Sequence, residues 1–507
     1  MPATSTTPAS APPAASPARQ QAVVAALRKV LPDDAVLWQN EAVAPFECDG
    51  LSAYRQRPLA VALPETHEQV GQVLAACHAL GVPVVARGGG TGLSGGALPD
   101  AQGVTLSLAR LDRILHIDPL ARTAVVECGV RNLAISEAAA AHGLYYAPDP
   151  SSQIACTIGG NVAENAGGVH CLKYGLTVHN VLRLRGFTVE GEVLELGGES
   201  LDAPGLDLLS VFIGSEGLLG VVTEVTVRLL PRPQVARCLL ASFDDVARAG
   251  EAVAAIIAAG LIPAGLEMMD QPMTRAVEDF VQAGYDLDAA AILLVESDGT
   301  PEEVDEEIER LSTVLRQAGA TRLDVSQDEA QRLRFWSGRK NAFPATGRIS
   351  PDYLCMDASI PRRQLASMLQ AIAQMQHTHG LRCVNVFHAG DGNMHPLILF
   401  DANDPDELAR AEAFGMAILL HAVELGGSIT GEHGVGVEKL DAMCTQFNDA
   451  ERAQMLALRA AFDPEARLNP GKLIPMLARC GELRGRKGQA MGQTPALREA
   501  LASLPRF

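Results

Sequence analysis

Ten residues from Arg87 to Gly96, RGGGTGLSGG, hold six glycines and follow directly on the short β-branched run VPVVAR. A glycine inside a helix or strand costs on the order of 0.5–1 kcal/mol relative to alanine, so no packed element forms from such a run. The chain here must be a loop whose peptide N–H groups lie bare at the end of a buried strand. Gly90, Gly92 and Gly95 satisfy the letters of the dinucleotide pattern GxGxxG, and Asp112 lies about twenty residues on, where a ribose-binding acid would stand. After Gly96, however, come ALPDAQG and the strand-like VTLSL, and no helix N-terminus that could receive a pyrophosphate. Successive bare N–H groups can still form an anion-cradling nest, with Arg87 as an added cation. The competing reading is a plain glycine loop without a ligand.

Two further segments share this texture. Tyr145 to Gly168, YYAPDPSSQIACTIGGNVAENAGG, is poor in charge, and Ile213 to Glu224 reads IGSEGLLGVVTE. Long loops inside a domain are seldom kept unless they bind something, and three of them suit an extended, phosphate-containing cofactor. Around them, Thr66 with Gln69 forms a capping-box pattern ahead of Val70, Val73, Leu74 and Cys77 at helical spacing, and TAVVE, VLRLRGFTVE and VTEVTVRLL read as strands. The prolines of PRP, Pro231 to Pro233, mark a junction. Beyond it, strand-like runs (CLLASF, AAILLVES, YLCMDASI, VNVFH) alternate with helical ones (Asp245 to Ala259, Glu302 to Gln317, and from Gln364). That order predicts an α+β chain whose second half is an antiparallel sheet covered by helices on one face. The expected organisation is a disordered tail over 1–18, a cofactor-binding domain over 19–234, a substrate domain over 235–475 and a C-terminal tail over 476–507.

The balance of charge removes one class of partner. With 41 Lys+Arg against 60 Asp+Glu, a net charge of −19, the chain has no basic face for nucleic acid. The first eighteen residues carry neither the basic start nor the apolar run of a secretory signal. The longest apolar stretch, Ala252 to Leu266, is too short for a bilayer and broken by Pro263. Ten cysteines without a CxxC pair write neither a zinc ribbon nor an iron–sulfur site, and read as reduced, cytosolic thiols.

In the second half, FHAGDGNMHP places His388 and His395 seven residues apart around a GDGN turn, and TGEHGVG adds Glu432 and His433. Doubling back at the turn aims both imidazoles at one point. Two histidines and a carboxylate are a divalent-metal set with open positions, suited to iron, manganese or zinc, and His433 beside a ligand could serve as a base. The other reading is a pair of satisfied core histidines. Arg339, Lys340 and Arg348 cluster in FWSGRKNAFPATGR; they suit either a substrate carboxylate or a solvated basic face. LNPGKL, Leu468 to Leu473, reads as a terminating turn.

Taken in order, RGGGTGLSGG, APDPSSQ, TIGGNVAENAGG, GSEG, HAGDGNMHP, GEHGVG and NPGKL resemble the FAD-linked 2-hydroxy-acid dehydrogenases of the vanillyl-alcohol-oxidase type, from about Cys48 to Pro475. The resemblance implies a bipartite FAD-binding domain, an antiparallel-sheet substrate domain whose C-terminal end returns to the flavin, and a helical C-terminal segment. It implies that Arg87, Gly88, Gly89, Gly90, Thr91, Gly92, Ser94 and Gly95 cradle the pyrophosphate. Pro148, Ser152, Thr157, Gly160, Asn161, Asn165 and Gly168 would line the rest of the cofactor, with Glu216, Val222 and Asn469 close by. It also implies that His388, His395 and Glu432 hold the metal, that His433 is the base, and that Arg339 binds the substrate carboxylate.

Relatives that oxidise 2-hydroxyglutarate carry an asparagine where this chain has Leu397 and a lysine at about Cys355, so a small substrate such as glycolate or D-lactate is expected. No flavin-linkage pattern occurs in the glycine loops, and FAD is expected to be noncovalent. Electrons must leave through a separate iron–sulfur subunit, and the resemblance implies a second flavin-type subunit as well. The expected location is cytoplasmic, leaving open a peripheral membrane association through those partners. The tail from Gly481 to Phe507, with five Lys/Arg and two Asp/Glu, is a candidate docking segment. A nonheme iron oxygenase and a flavoprotein subunit with no substrate site are the alternatives from other classes.

Overall fold

The computed structural model describes residues 16–200, 205–476 and Cys480. The N-terminal half carries two larger sheets on one apolar core, beside a two-stranded pair of Leu144–Tyr145 with Leu230–Pro231. In the first, Ala60–Ala62 and Val84–Arg87 flank Val104–Ser107 in parallel, and Val36–Leu37 adds an antiparallel edge. The second runs antiparallel through Ile114–Asp118, Thr123–Glu127, Val221–Arg228, Val181–Phe187 and Val193–Gly197. Helix His67–Ala79 lays Val70, Val73, Leu74 and Cys77 into the core between them. Thr66 caps that helix by accepting the Gln69 N–H, while Gln69 Oε1 accepts from Glu65 N, one residue before the expected box partner. The parallel strand Val84–Arg87 ends at the glycine loop, which lies where ligands meet such sheets, outside the carboxyl ends of the strands.

The C-terminal half is one large sheet. Arg322–Val325, Val235–Phe243, Ala291–Gly299, Gly265–Asp270 and Arg382–His388 lie side by side, all antiparallel, and Pro396–Phe400 and Asp352–Cys355 extend it from Arg382–His388. The expectation of helices on one face is corrected, because both faces are covered. Leu239, Ala241 and Phe243 face helices Val246–Ala258, Pro301–Gln317 and Leu365–His379. Cys238 and Leu240 face Gln271–Val281, Glu329–Lys340 and Ala342–Thr346. Successive strand residues point to opposite faces, so a strand apolar at every position needs a cover on each side.

Helix Pro17–Leu27, capped by Ser16, begins inside the stretch expected to be disordered; residues 1–15 lie outside the described residues. The reading of ten reduced thiols is also corrected: Cys444 and Cys480 form a disulfide across a Cα–Cα distance of 5.4 Å. Thirty-six residues separate them, and only the return of the chain past helix Leu440–Gln446 brings them together. The other eight cysteines are free. The basic tail from Gly481 lies outside the described residues. Before it, Leu468 pairs with Val84 and the Asn469 N–H donates to Val84 O, so this late segment lies against the strand that launches the glycine loop.

Candidate functional site

A cavity of about 530 Å³ opens at the seam of the two halves. Its walls are Arg87–Gly92, the segment from Ser152 to Glu164, Glu216 and Val222 with their neighbours, and, from the C-terminal half, Lys340, Phe343, His395, Glu432, His433 and Asn469. The glycine loop and the Thr157 segment touch. A Cβ on Gly88 would sit 2.2 Å from Thr157 Oγ1 and one on Gly89 2.6 Å from Ala155 O, so only bare backbone allows this approach. Gly90 has φ +68°, the left-handed region that favours glycine. Thr157 itself accepts the Gly160 N–H and starts helix Ile158–Glu164. The helix start missing after Gly96 is thus supplied from a segment sixty residues on.

Several expected cofactor residues stand behind the cavity wall with protein partners of their own. Ser94 Oγ donates to His433 O at 2.9 Å. Gly95 packs on Val437, Pro148 O accepts from Asn132, Asn165 Oδ1 accepts from Val178 N, and Gly168 lies on the backbone of Asp149. Arg87 lines the cavity while one guanidinium nitrogen donates to Cys48 O at 2.7 Å. Asn161 receives Asn132 Nδ2 at 3.0 Å.

His388 ends strand Arg382–His388 and pairs with Asn393 across the GDGN turn, and this brings His395 back toward it. Glu432 Oε1 lies 3.3 Å from His388 Nε2 and 3.0 Å from His395 Nε2, and the three donor atoms fall within 4.8 Å of one another. Glu432 Oε2 is buried without a partner. Two imidazole nitrogens and a carboxylate oxygen converging on one point, with the second oxygen of that carboxylate unpartnered, fit a divalent cation. Burial opposes charge on Glu432, yet the facing histidines hold its carboxyl well below the usual range, while Glu267 and Glu432 raise His388 despite its burial.

The loop bearing Glu432 is held from beneath by Asp357. Its carboxylate accepts the N–H groups of Gly431, Glu432 and His433 at 3.0–3.1 Å and the Thr430 hydroxyl at 2.7 Å. Lys439 Nζ, fully buried at 2.9 Å, balances the charge. From the other side, Glu216 accepts Val435 N at 2.6 Å and Gly436 N at 2.8 Å. His433 stacks on His395 with centroids 4.9 Å apart. Burial pushes its imidazole down to about 4, so near neutrality it is uncharged and able to accept a proton.

Arg339 is buried outside the cavity wall, its Nε donating to Glu267 Oε2 at 2.6 Å and its Nη2 unpartnered. Glu267 Oε1 lies 2.7 Å from His388 Nδ1, so one carboxylate spans the arginine and the metal set. Reasoning from sequence missed Glu267, Asp357 and Lys439; an acid flanked by apolar residues inside the buried strand GLEMMD was the signal for the first. It also undervalued LNPGKL. Asn469 Nδ2 donates to Gly96 O and Glu216 O, and Lys472 Nζ donates to Gly96 O, Leu98 O and Asn469 Oδ1, clasping the glycine loop.

Comparisons with known proteins give the family. Residues 58–197 match the model of the FAD binding domain and residues 232–473 that of the FAD linked oxidases, C-terminal domain. The chain belongs to the FAD-linked oxidases, and is an FAD-dependent oxidoreductase of the vanillyl-alcohol-oxidase-type fold. It is 63% identical over 460 residues to the glycolate oxidase subunit GlcD of Escherichia coli (strain K12), covering 91% of this chain and 92% of that one. The glycolate oxidase subunit GlcD of Bacillus subtilis (strain 168) is 38% identical (86% and 93% covered), and a D-lactate dehydrogenase of Anaerostipes hadrus 31% (86% and 94%). Among solved structures, p-cresol methylhydroxylase superposes with a TM-score of 0.76 at 19% identity, covering 91% and 98%, which establishes the fold alone. No helix among the described residues is long and apolar enough to cross a membrane.

Proposed function

We propose that this chain oxidises glycolate to glyoxylate. The observation that carries the reading is the cavity itself, where His395, Glu432 and His433 line the same space as the glycine loops. Identity of 63% to a glycolate oxidase subunit supports glycolate; D-lactate, suggested by a relative at 31%, is the second substrate.

FAD would be held noncovalently by Arg87–Gly92, Ser152, Thr157, Gly160, Asn161, Glu216, Val222 and Asn469, and supplies the two-electron acceptor. Ser94, Gly95, Pro148, Asn165 and Gly168 support that cradle from behind. His388, His395 and Glu432 would hold an iron, manganese or zinc ion, whose Lewis acidity lowers the pKa of the substrate hydroxyl. His433 then takes the hydroxyl proton on its neutral ring, and Glu216 and Asp357 keep that ring aimed by fixing the loop on both sides. Arg339, behind the cavity wall with an unused N–H, would orient the substrate carboxylate from there. Leu397 and Cys355 offer no cation to a second carboxylate, which supports a small substrate.

The electrons then pass to an iron–sulfur subunit, with a second flavin-type subunit completing the assembly; the word subunit in the relatives' names supports a complex. A cytoplasmic location, with the basic tail as a docking segment, belongs to the same reading, and unchanged subunit affinity after removal of residues 481–507 would refute the docking role.

The test is an anaerobic visible spectrum before and after glycolate, D-lactate, L-lactate and D-2-hydroxyglutarate. Fast bleaching by glycolate, slower by D-lactate, is expected. A flavin band that none of them bleaches refutes the substrate class.

A further inference from the structure

Cys355 closes the strand Asp352–Cys355, opposite Leu397 of the strand that follows His395. Its thiol carries no proton or electron in the oxidation described above. Its sulfur and one ring nitrogen from each of His395 and His433 lie within 4.8 Å of one another. His395 spends Nε2 on Glu432, and its Nδ1 is buried without a hydrogen bond, 3.9 Å from Asp357 Oδ1, so one nitrogen of that ring is left for a second ligand. Around His395, then, two donor sets overlap: a harder one with Glu432, and a softer one with a thiol.

We propose that Cys355, His395 and His433 form a thiophilic metal site that binds a soft divalent cation such as Cd2+ and arrests the enzyme when filled. Thiolate and imidazole donors select soft ions, whereas the carboxylate-bearing set accepts iron or manganese. As the metal–sulfur bond forms, the S–H bond of Cys355 breaks, and with the first cation on Nε2 of His395 the Nδ1–H bond of that ring breaks as well; both protons go to solvent, with no change of oxidation state. A cation bound there occupies the His433 imidazole, which can no longer take the substrate proton. The arrest rests on His433 being the base; the binding does not.

Cd2+ is titrated into the metal- and flavin-loaded enzyme while ultraviolet thiolate-to-cadmium absorbance and the rate of flavin reduction by glycolate are both followed. The wild type is expected to gain one absorbance step per chain and to slow by about 100-fold, the worth of a general base. Cys355→Ser, compared with its own Cd2+-free rate, is expected to lose both responses. Wild type and variant responding alike overturns the site, and an absorbance step without slowing overturns the arrest. If the variant does not fold, X-ray absorption of the Cd2+-loaded wild type decides: a sulfur neighbour supports the site, and a shell of nitrogen and oxygen alone overturns it. An enzyme that shows the absorbance step but is reduced by no hydroxy acid refutes the functional reading and leaves the site standing.

Discussion

At the scale of single residues, the chemistry depends on charges that water does not reach. Glu267 is the clearest case, since it holds His388 at 2.7 Å and Arg339 at 2.6 Å inside an apolar strand. Glu267→Gln keeps the shape but loses the charge that fixes the His388 ring, and partners of this kind are worth about 10–100-fold in metal affinity. Metal content after dialysis against a graded chelator should show that loss, and unchanged affinity would mean Glu267 does not orient the ligand. For His433, burial pushes the imidazole down to about 4, so the proton acceptor is already neutral well below neutrality. The pH profile of kcat/KM should therefore lack an inflection near 6.5, where a free imidazole titrates. An inflection near 6.5 that disappears in His433→Gln would contradict this.

At the scale of elements, two polar clasps hold backbone that carries no regular structure. Asp357 gathers the loop from Thr430 to His433 and is itself balanced by buried Lys439. Asp357→Asn strands that ammonium, and breaking one side of a buried pair costs about 3–5 kcal/mol. Urea unfolding should register the loss, and adding Lys439→Met should recover part of it. The second clasp is Lys472, which burial lowers to about 8 while three oxygens receive its protons. Unfolded, the same amine titrates near 10.4, so between about pH 8 and 10 the unfolded chain binds a proton that the folded one does not, and stability rises with pH. Measured against Lys472→Met, the wild type should gain up to about 3 kcal/mol from pH 7 to pH 10; a gain of the opposite sign refutes the assignment.

The legible parts of the site are the local ones. His388 and His395 could be paired because a GDGN turn joins them, and Glu432 and His433 because they are adjacent. Glu267 could not be paired with His388, since 121 residues separate them. The glycine loops announced themselves by composition, whereas the clasp that Asn469 and Lys472 place on Gly96 depends on a chain end returning across more than 370 residues. Arg339 was visible as a basic residue, but its burial against Glu267 was not, because nothing local distinguishes a solvated arginine from one folded inward.

At the scale of the whole molecule, the cavity belongs to neither half alone. Ser94 and Glu216 come from the N-terminal half and hold the loop of His433, while Asn469 and Lys472 come from the far end and hold the glycine loop. A ligand in that seam joins both halves. Saturating FAD at about 100 times its Kd should add about 2.7 kcal/mol, and stripping it should lower the Tm of the whole chain in one transition. Calorimetry in which flavin removal shifts only part of a split transition would show that the halves unfold independently.

The amino-acid sequence determined by itself what short stretches can do: glycine density forces bare backbone, alternation and helical spacing write the strands and helices, and His, Glu and Gly around tight turns write a ligand set. Those properties depend on neighbours a few residues away. Only the tertiary structure decided that the large sheet is covered on both faces, that Cys444 meets Cys480, and that Glu267, Asp357 and Lys439 stand beneath the histidines. Each of these depends on which distant surfaces exclude water together, and that follows from packing segments far apart in the chain against one another.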